Sequence, residues 1–433
     1  MQRTVDMNRI QTFQQAIDYI HARPRLRLEG DEASSRAAAF LHRLGNPGRG
    51  LRLVHITGTN GKGSAAAMLS SMLTASGCRT GLFISPYVLE FRERIQIDHE
   101  MLPQKALVRL VEQAAGAVEE MDRGGSPVNE FILDFGLAML WFEQQGCSAA
   151  VIEAGIGGRH DATCCLPPPA LSVIMGIGLD HTAVLGDTPA EIARDKSAII
   201  KGNPALLYPE QPPEAMAVVM EQCANTGSEL VIPSLREVEI LSEGLTGTIF
   251  RYGGQDYSLP LLGRYQVKNA VTAITGGKML GLDEQTIQKG IAQVSFPCRL
   301  ELVRTAPPVI IDGAHNLHGM NALKESLPPL LGDRRPVLLV GMLRDKDFSD
   351  ALSAVAPLAE KIITVAVDNP RTTSAQETAA AARTGCEDVR AVDDWREGLS
   401  QALELAQNEE RALVICGSLY LAADCRAWLN ETK

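Results

Sequence analysis

The stretch LRLVHITGTNGKGSAAAMLSSMLTASG, residues 51–77, decides the fold. Residues 51–57 are apolar and β-branched, which predicts a buried strand. Residues 64–77 carry alanine and leucine at helical spacing and end at a glycine, which predicts a helix. Between them, glycines surround the single lysine Lys62. Because glycine turns tightly and has no Cβ, this loop is predicted to bring its backbone close to a ligand.

A glycine-rich turn that opens a helix is a typical phosphate site, since free backbone N–H groups and the helix dipole attract anions. Lys62 would add a full positive charge, and the Ser64 hydroxyl could approach a magnesium ion. The loop is shorter than the pattern G-x-x-x-x-G-K-[ST], and Gly63 separates the lysine from the serine. A glycine-rich turn with a surface lysine is the alternative. We predict a nucleoside triphosphate site made by Gly58, Thr59, Asn60, Gly61, Lys62, Gly63 and Ser64.

Outward from this stretch, predicted strands alternate with predicted helices, which indicates βαβ units and a parallel sheet. Residues 230–262 interrupt this rhythm and predict a small antiparallel subsheet. A new strand–helix alternation follows the segment SFPCRLE around Pro297. The predicted fold class is α/β, with an N-terminal P-loop ATPase-like, doubly wound, mostly parallel sheet and a smaller C-terminal Rossmann-like domain. The predicted domains are 1–297 and 298–433.

Composition narrows the classes of function. The chain has 433 residues, 45% of them hydrophobic, which is typical of a globular protein with two domains. A formal net charge of −11 argues against non-specific nucleic-acid binding, which needs clustered Lys and Arg. The nine cysteines include no C-x-x-C pair, which favours reduced thiols in the cytoplasm. No apolar run approaches the ~20 residues of a membrane helix.

Three further segments carry candidate chemistry. Glu153 ends a predicted strand in VIEAGIGGRHDAT, where a carboxylate could hold magnesium beside the phosphate loop; a solvent-facing side chain is the alternative. His181 in MGIGLDHTAVLG lies at another predicted strand end, where a ligand role competes with a structural one. Lys196 in PAEIARDKSAIIK, taken alone, is typical of a surface lysine.

Together these motifs resemble folylpolyglutamate synthase and dihydrofolate synthase, in the Mur ligase superfamily of ATP-dependent amide ligases. The resemblance runs from about residue 11 to the C-terminus and is carried by motifs in family order. They are HITGTNGKGS, SPY…RERI, EAGIGGRHDAT, LDHTAVLG, ARDKSAI, CRLE, DGAHN, LRDKD and CGSLYLAA.

The resemblance implies roles for individual residues. It implies two Mg²⁺ ions bound by Ser64, Ser85, Glu153 and His181, with Lys62, His181 and Lys196 as catalytic residues. Lys196 matches a lysine that is carbamylated in the family, which would turn a cation into a metal-binding anion. Nucleotide contacts at the domain junction would come from Asn269, Arg299 and Asp312, with His315 as a neighbour. The pterin side would involve Phe131, Asp161, Ala162 and Thr163.

The implied reaction is folate polyglutamylation or dihydrofolate synthesis, within folate biosynthesis and one-carbon metabolism. A substrate carboxylate would take the γ-phosphate of ATP, and L-glutamate would then displace phosphate from the acyl phosphate. ATP, L-glutamate and a folate or dihydropteroate are the expected small-molecule partners of a cytoplasmic monomer, with no nucleic acid or membrane.

Departures from the family pattern occur at Phe91, His160 and Cys164, on the folate side. A superfamily ligase for another carboxylate therefore stays open, as do a small-molecule kinase and a nucleotide switch.

Overall fold

The computed structural model describes residues 10–26, 28, 30–344 and 348–431. Asp345, Lys346 and Asp347 of the LRDKD motif therefore lie outside the described residues. Two compact units are present, Met1–Arg236 with Asn269–Gln293 and Glu237–Lys268 with Val294–Lys433. This division does not test the predicted domain limits, 1–297 and 298–433, which remain a prediction. No helix in the described part of the chain is long and apolar enough to cross a membrane.

The first unit is built on a sheet that has eight strands in the described residues, in the order β4-β3-β2-β5-β1-β6-β7-β8. Pairs from β2 to β8 are parallel, whereas β3 and β4 form an antiparallel edge. The strands are β1 (Arg52–Thr57), β2 (Thr80–Phe83), β3 (Ile95–Ile97), β4 (Glu100–Met101), β5 (Ala149–Glu153), β6 (Leu171–Ile174), β7 (Ala205–Leu207) and β8 (Leu230–Val231). The predicted mostly parallel sheet is confirmed.

Helices accompany this sheet, and the predicted strand–turn–helix of residues 51–77 is confirmed as β1 and α3. Gly290 lets α10 approach α3 closely, because a Cβ there would lie 2.5 Å from the Met72 Cα. The helices are α1 (Phe13–His21), α2 (Glu32–Arg43), α3 (Lys62–Ala75), α4 (Gln104–Arg123), α5 (Glu130–Gln144), α6 (Thr182–Leu185), α7 (Pro189–Lys196), α8 (Pro213–Thr226), α9 (Arg264–Met279) and α10 (Glu284–Gln293). Helix α9 begins in the second unit and continues in the first.

The second unit contains the predicted antiparallel subsheet, as β9 (Glu239–Gly244), β10 (Gly247–Tyr252) and β11 (Gln255–Leu259). Its larger sheet has the order β12-β13-β17-β14-β15-β16 over the residues that the structure describes, antiparallel only at β12–β13. These strands are β12 (Glu301–Thr305), β13 (Pro308–Ile311), β14 (Val337–Val340), β15 (Lys361–Val365), β16 (Val389–Val392) and β17 (Leu413–Cys416). Its helices are α11 (Leu317–Leu331), α12 (Phe348–Val355), α13 (Ala375–Ala382), α14 (Trp395–Asn408) and α15 (Leu419–Glu431). The prediction that the second domain has an α/β fold is confirmed.

Candidate active site

The loop between β1 and α3, residues 58–61, is shaped by two glycines that no other residue could replace without strain. Gly58 has a φ of 151°, and a Cβ there would lie 2.6 Å from the Met175 Cβ. Gly61 has a φ of 84°, and a Cβ there would lie 2.7 Å from the Asn269 Oδ1. The Thr59 N–H also donates to the Gly176 carbonyl at 2.8 Å, which ties the loop to the segment after β6. The result is a fixed loop that leads into the N-terminus of α3, where an anion is favoured.

Two lysines meet at one carbonyl of this loop. The Nζ atoms of Lys62 and Lys196 donate to the Gly58 oxygen at 3.1 and 2.9 Å. Lys196 is only 3% exposed, so the interpretation of an isolated surface lysine is wrong. Burial, followed by the positive charge of Lys62, lowers the pKa of Lys196 to about 7. The Gly58 carbonyl therefore joins the lysine at the start of α3 to a buried lysine of α7 that loses its proton easily.

His181 belongs to the same cleft but has a different environment. Residues of three loops line the cleft: Gly58, Thr59, Lys62, Gly155, Ile156, Gly157, Asp180, His181, Leu185 and Lys196. His181 has a φ of 51° and an exposed side chain, and its backbone N–H donates to the Asp180 Oδ1 at 2.8 Å. An exposed imidazole beside two lysines is placed to contact a ligand of the cleft.

A second glycine loop, residues 155–163, follows β5 and is held against α7 by Asp195. The Gly158 and His160 N–H groups donate to the Asp195 carboxylate at 2.7 and 3.2 Å, and the His160 Nδ1 also bonds to it. A Cβ at Gly157 would lie 2.1 Å from the Asp195 Oδ2. Because Lys196 follows Asp195 on α7, this clamp positions the loop and the buried lysine together. Asp195 was not predicted from the sequence, where its only signal was its place beside that lysine.

Asp161, at the end of the second glycine loop, is locked by donors. Its Oδ2 accepts from the Ile156 N–H at 2.9 Å, and its Oδ1 accepts from the N–H and hydroxyl of Thr163. The Thr163 hydroxyl also contacts the Nε2 of buried His55 at 2.8 Å. Burial lowers the pKa of His55 to about 3, so this imidazole is neutral, and burial raises the pKa of Asp161. His55 was also missed, although it is the polar residue inside the apolar run LRLVHIT.

Phe131 and Asp161 approach the same point of this loop. A Cβ on Gly155 would lie 2.8 Å from the Phe131 Cε2 and 3.3 Å from the Asp161 Oδ2. Phe131 packs on Phe83 with ring centroids 5.7 Å apart, and Ala162 is buried. The predicted pterin-side residues are therefore brought together, as an aromatic ring beside a buried carboxylate.

Ser85 and Glu153, two of the four predicted metal ligands, are in direct contact. The Ser85 N–H donates to the Glu153 Oε2 at 3.2 Å, and the Ser85 Oγ accepts from the Arg94 Nη1 at 3.1 Å. Ser64 is buried in the first turn of α3. Over the described residues, no three His, Cys, Asp or Glu side chains are close enough to hold a metal ion. Hydroxyl and carboxylate oxygens are nevertheless hard ligands, and this set fits Mg²⁺ better than a softer metal.

The remaining predicted nucleotide residues divide between the units. Asn269 adjoins Gly61 in the first unit. In the second, the buried Asp312 accepts from the N–H groups of Leu300 and Ala314 at 2.8 and 2.7 Å, and burial raises its pKa. The His315 Nδ1 contacts the Gly313 carbonyl at 2.8 Å, and the Arg299 guanidinium lies 5.9 Å from the Phe296 ring centroid. The bonds from Leu300 and Ala314 give Asp312 a fixed orientation after β13.

Comparison with known proteins gives a consistent result. Residues 298–419 match the family described as "Mur ligase, glutamate ligase domain". Folylpolyglutamate synthase of Lacticaseibacillus casei is 36% identical, over 97% of this chain and 99% of that protein. Dihydrofolate synthase/folylpolyglutamate synthase of Bacillus subtilis is 30% identical, over 96% and 99%. The crystal structure of Mycobacterium tuberculosis folylpolyglutamate synthase complexed with ADP and AMPPCP has a TM-score of 0.86 at 30% identity, covering 96% of this chain and 98% of that one.

Proposed function

Because the chain belongs to the folylpolyglutamate synthase and dihydrofolate synthase family, we propose that it is an ATP-dependent ligase that joins L-glutamate to a folate or dihydropteroate carboxylate. The supporting observation is the pair of lysines on the Gly58 carbonyl, at the N-terminus of α3 and beside the second glycine loop. The lysines and the N-terminus of α3 suit a triphosphate. Gly155, which also lines this cleft, adjoins Phe131 and Asp161, an aromatic ring and a carboxylate that suit a pterin.

The reaction proceeds in two steps. A carboxylate oxygen of the substrate attacks the γ-phosphorus of ATP, the new O–P bond forms, and ADP leaves. The amine of L-glutamate then attacks the acyl phosphate carbon, phosphate leaves with the C–O bond pair, and the amine loses a proton. Lys62 and the N–H groups of α3 stabilise the charge that develops on the phosphoryl oxygens. No enzyme nucleophile is needed.

Two Mg²⁺ ions are proposed for Ser64, Ser85, Glu153 and His181. When bound, Mg²⁺ would supply the positive charge that reduces repulsion between the substrate carboxylate and the triphosphate. The Ser85 backbone N–H holds the Glu153 carboxylate in place at 3.2 Å. Glu153→Ala and His181→Ala should each raise the Mg²⁺ concentration needed for half-maximal ADP release. A dependence equal to that of the parent in both variants would remove them from the ligand set.

Lys196 is proposed to carry a carbamate. An unprotonated amine adds CO₂ and releases a proton, and a pKa lowered to about 7 leaves that amine available near neutral pH. Lys196→Ala should be nearly inactive, and a short carboxylic acid added in trans should restore part of the activity. Protein labelled with ¹³CO₂ should show a carbamate carbon by NMR that Lys196→Ala lacks. Retention of that signal in Lys196→Ala would assign the carbamate to another amine.

The other predicted site residues are proposed on the same ground, which is membership of this family. Asn269, Arg299, Asp312 and His315 are proposed for the nucleotide, and Phe131 with Asp161–Thr163 for the pterin. A monomer is proposed, which light scattering of the purified chain tests.

The deciding experiment measures ADP release with dihydropteroate or tetrahydrofolate, each with and without L-glutamate. The ligase requires both the pterin substrate and L-glutamate for sustained release. Release that is independent of L-glutamate would indicate a kinase. Release only with another carboxylate would indicate a different ligase of the superfamily, with its specificity altered around His160 and Cys164.

A further inference from the structure

Asp134 is a buried acid in an otherwise apolar part of α5. It is inaccessible to solvent, and its neighbours from Ile132 to Leu140 are buried too. Neither of its carboxyl oxygens has a hydrogen-bond partner among the residues that the structure describes. A buried carboxyl without hydrogen bonds is costly, so its presence calls for a specific partner.

The nearest charged partner of Asp134 is Arg94, which ends the turn Phe91–Arg94 before β3. The Arg94 Nε lies 3.5 Å from the Asp134 Oδ2, and the Nη2 lies 3.8 Å from the Glu130 Oε1. The guanidinium also lies 5.1 Å from the Tyr87 ring centroid and 5.9 Å from that of Phe91. Two acids on α5 and two aromatic rings therefore confine one guanidinium.

The backbone around Arg94 is fixed as well. The Glu93 carboxylate accepts from the N–H groups of Val88, Leu89 and Glu90, at distances from 2.7 to 3.3 Å. These bonds fix the conformation of the turn and therefore the direction in which the Arg94 side chain leaves the backbone. Its remaining nitrogen, Nη1, donates to the Ser85 Oγ at 3.1 Å.

A donor at Ser85 Oγ has a chemical consequence. The bond from Arg94 occupies one lone pair of the hydroxyl and sets the direction of the other. Ser85 also donates its backbone N–H to Glu153. One connected set of contacts therefore holds both oxygen ligands proposed for Mg²⁺. Groups that orient a metal ligand without touching the metal commonly determine how tightly it binds.

We propose that Arg94 is a positioning residue for the Ser85 hydroxyl as a Mg²⁺ ligand, and that Asp134 and Glu130 hold the Arg94 guanidinium in place. This inference rests on the proposed function, because it takes Ser85 and Glu153 as metal ligands. It adds three residues that act on the metal site through contacts, from the turn before β3 and from α5.

Arg92 provides a matched control on the same turn. Its Nε and Nη2 donate to Glu90 at 2.7 Å and its Nη1 donates to the Leu102 carbonyl at 3.4 Å. Over the part of the chain that the structure describes, no hydrogen bond joins Arg92 to Ser85. Arg92→Met and Arg94→Met remove the same charge from neighbouring positions. Arg94→Lys keeps the charge but cannot reach Ser85 and both acids at once, since an ammonium lacks the planar fork.

The experiment measures Mn²⁺ binding by electron paramagnetic resonance, on the full chain with a non-hydrolysable ATP analogue. Analogue binding in EDTA is measured in parallel, and the far-UV circular dichroism of each variant verifies its fold. Arg94→Met should weaken Mn²⁺ binding by about 10-fold or more and Arg94→Lys by less, as expected for a residue that orients a metal ligand. Arg92→Met should bind as the parent does, and analogue binding in EDTA should be equal in all.

Asp134 is tested by Asp134→Asn, which keeps the size of the side chain, and by Asp134→Leu, which fills its volume; both remove the carboxyl group. Both should weaken Mn²⁺ binding by about 3-fold, less than Arg94→Met, because Glu130 still holds the guanidinium. Mn²⁺ binding equal to the parent in Arg94→Met and Arg94→Lys would overturn the positioning role while leaving the proposed function standing. Equal binding in both Asp134 variants would overturn the role of that acid. A parent chain that binds no Mn²⁺ with the analogue would overturn this inference and the proposed metal site together.

Discussion

Two glycine loops in the first unit look alike in sequence and differ in what they offer a ligand. In the loop of residues 58–61, Gly58 faces the Met175 Cβ and backbone and Gly61 faces the Asn269 side chain, and the loop leads into the N-terminus of α3. In the loop of residues 155–163, Gly155 and Gly157 face the side chains of Phe131 and Asp195, whereas Gly158 faces the backbone of α7. Its N–H groups are occupied by Asp195 and Asp161. The first is electropositive and suits phosphate, whereas the second uses its donors to fix carboxylates.

The largest expected effect concerns the charge of the first loop. Lys62→Ala should lower kcat by about a thousandfold, because the lysine stabilises charge that develops on the transferred phosphoryl group. The fold should persist, since the lysine lies at the loop end of α3. Steady-state ADP release with a saturating pterin substrate and L-glutamate measures the loss. Lys105→Ala, an exposed lysine on α4, is the control. A Lys62→Ala kcat near that of the parent would contradict the phosphate role.

The next effect concerns Lys196, which joins the two loops. Its pKa is lowered to about 7 in the fold, so the unfolded chain binds a proton more tightly between pH 7 and about 10.5. The parent therefore loses stability as the pH falls from 10 to 7, by an amount on the order of 4 kcal/mol at most. Lys196→Met should lack this loss. Urea unfolding from pH 7 to 10 in CO₂-free buffer compares the two slopes, and equal slopes would show that Lys196 is not the group responsible.

The comparison between the loops also separates what the sequence could predict from what it could not. The loop of residues 58–61, the place of Lys62 at the start of α3 and the place of Glu153 at the end of β5 were predictable, because strand, turn and helix signals are local and adjacent. The burial of Lys196 was not predictable from its own helix, because its partner, the Gly58 carbonyl, lies 138 residues away. His55, Asp195 and Asp134 were missed for the same reason. Each is polar within an apolar or ordinary segment, and its role depends on a contact with another element.

A smaller effect should distinguish the glycines of the two loops. Gly58→Ala and Gly157→Ala should each lower the free energy of unfolding by about 2–3 kcal/mol, since both need positive φ and both new Cβ atoms clash. Adding Asp195→Ala should relieve part of the Gly157→Ala cost, because the closest atom is the Asp195 carboxylate. No such relief exists for Gly58→Ala, whose neighbours are the Met175 Cβ and backbone.

Urea unfolding of the single and double variants measures this coupling between positions 157 and 195. Gly178→Ala is the control, because a Cβ there meets no atom within 4 Å. Additive costs for Gly157→Ala and Asp195→Ala would mean that the Asp195 side chain does not restrict position 157.

The smallest expected effect lies in the second loop itself, where two neighbouring residues contact carboxylates in different surroundings. Arg159 donates to Asp31 at 2.8 Å, and both side chains are more than half exposed. His160 bonds to Asp195, whose side chain is 5% exposed. An exposed pair is screened by water and salt, whereas a buried acceptor that loses its donor keeps the desolvation penalty. Arg159→Ala should therefore leave the urea midpoint and kcat unchanged within error, and His160→Leu should lower the midpoint. The same measurements in 0.5 M salt should change neither result. A loss in Arg159→Ala as large as that in His160→Leu would show that the loop is held from its exposed side, and that α7 is not its principal anchor.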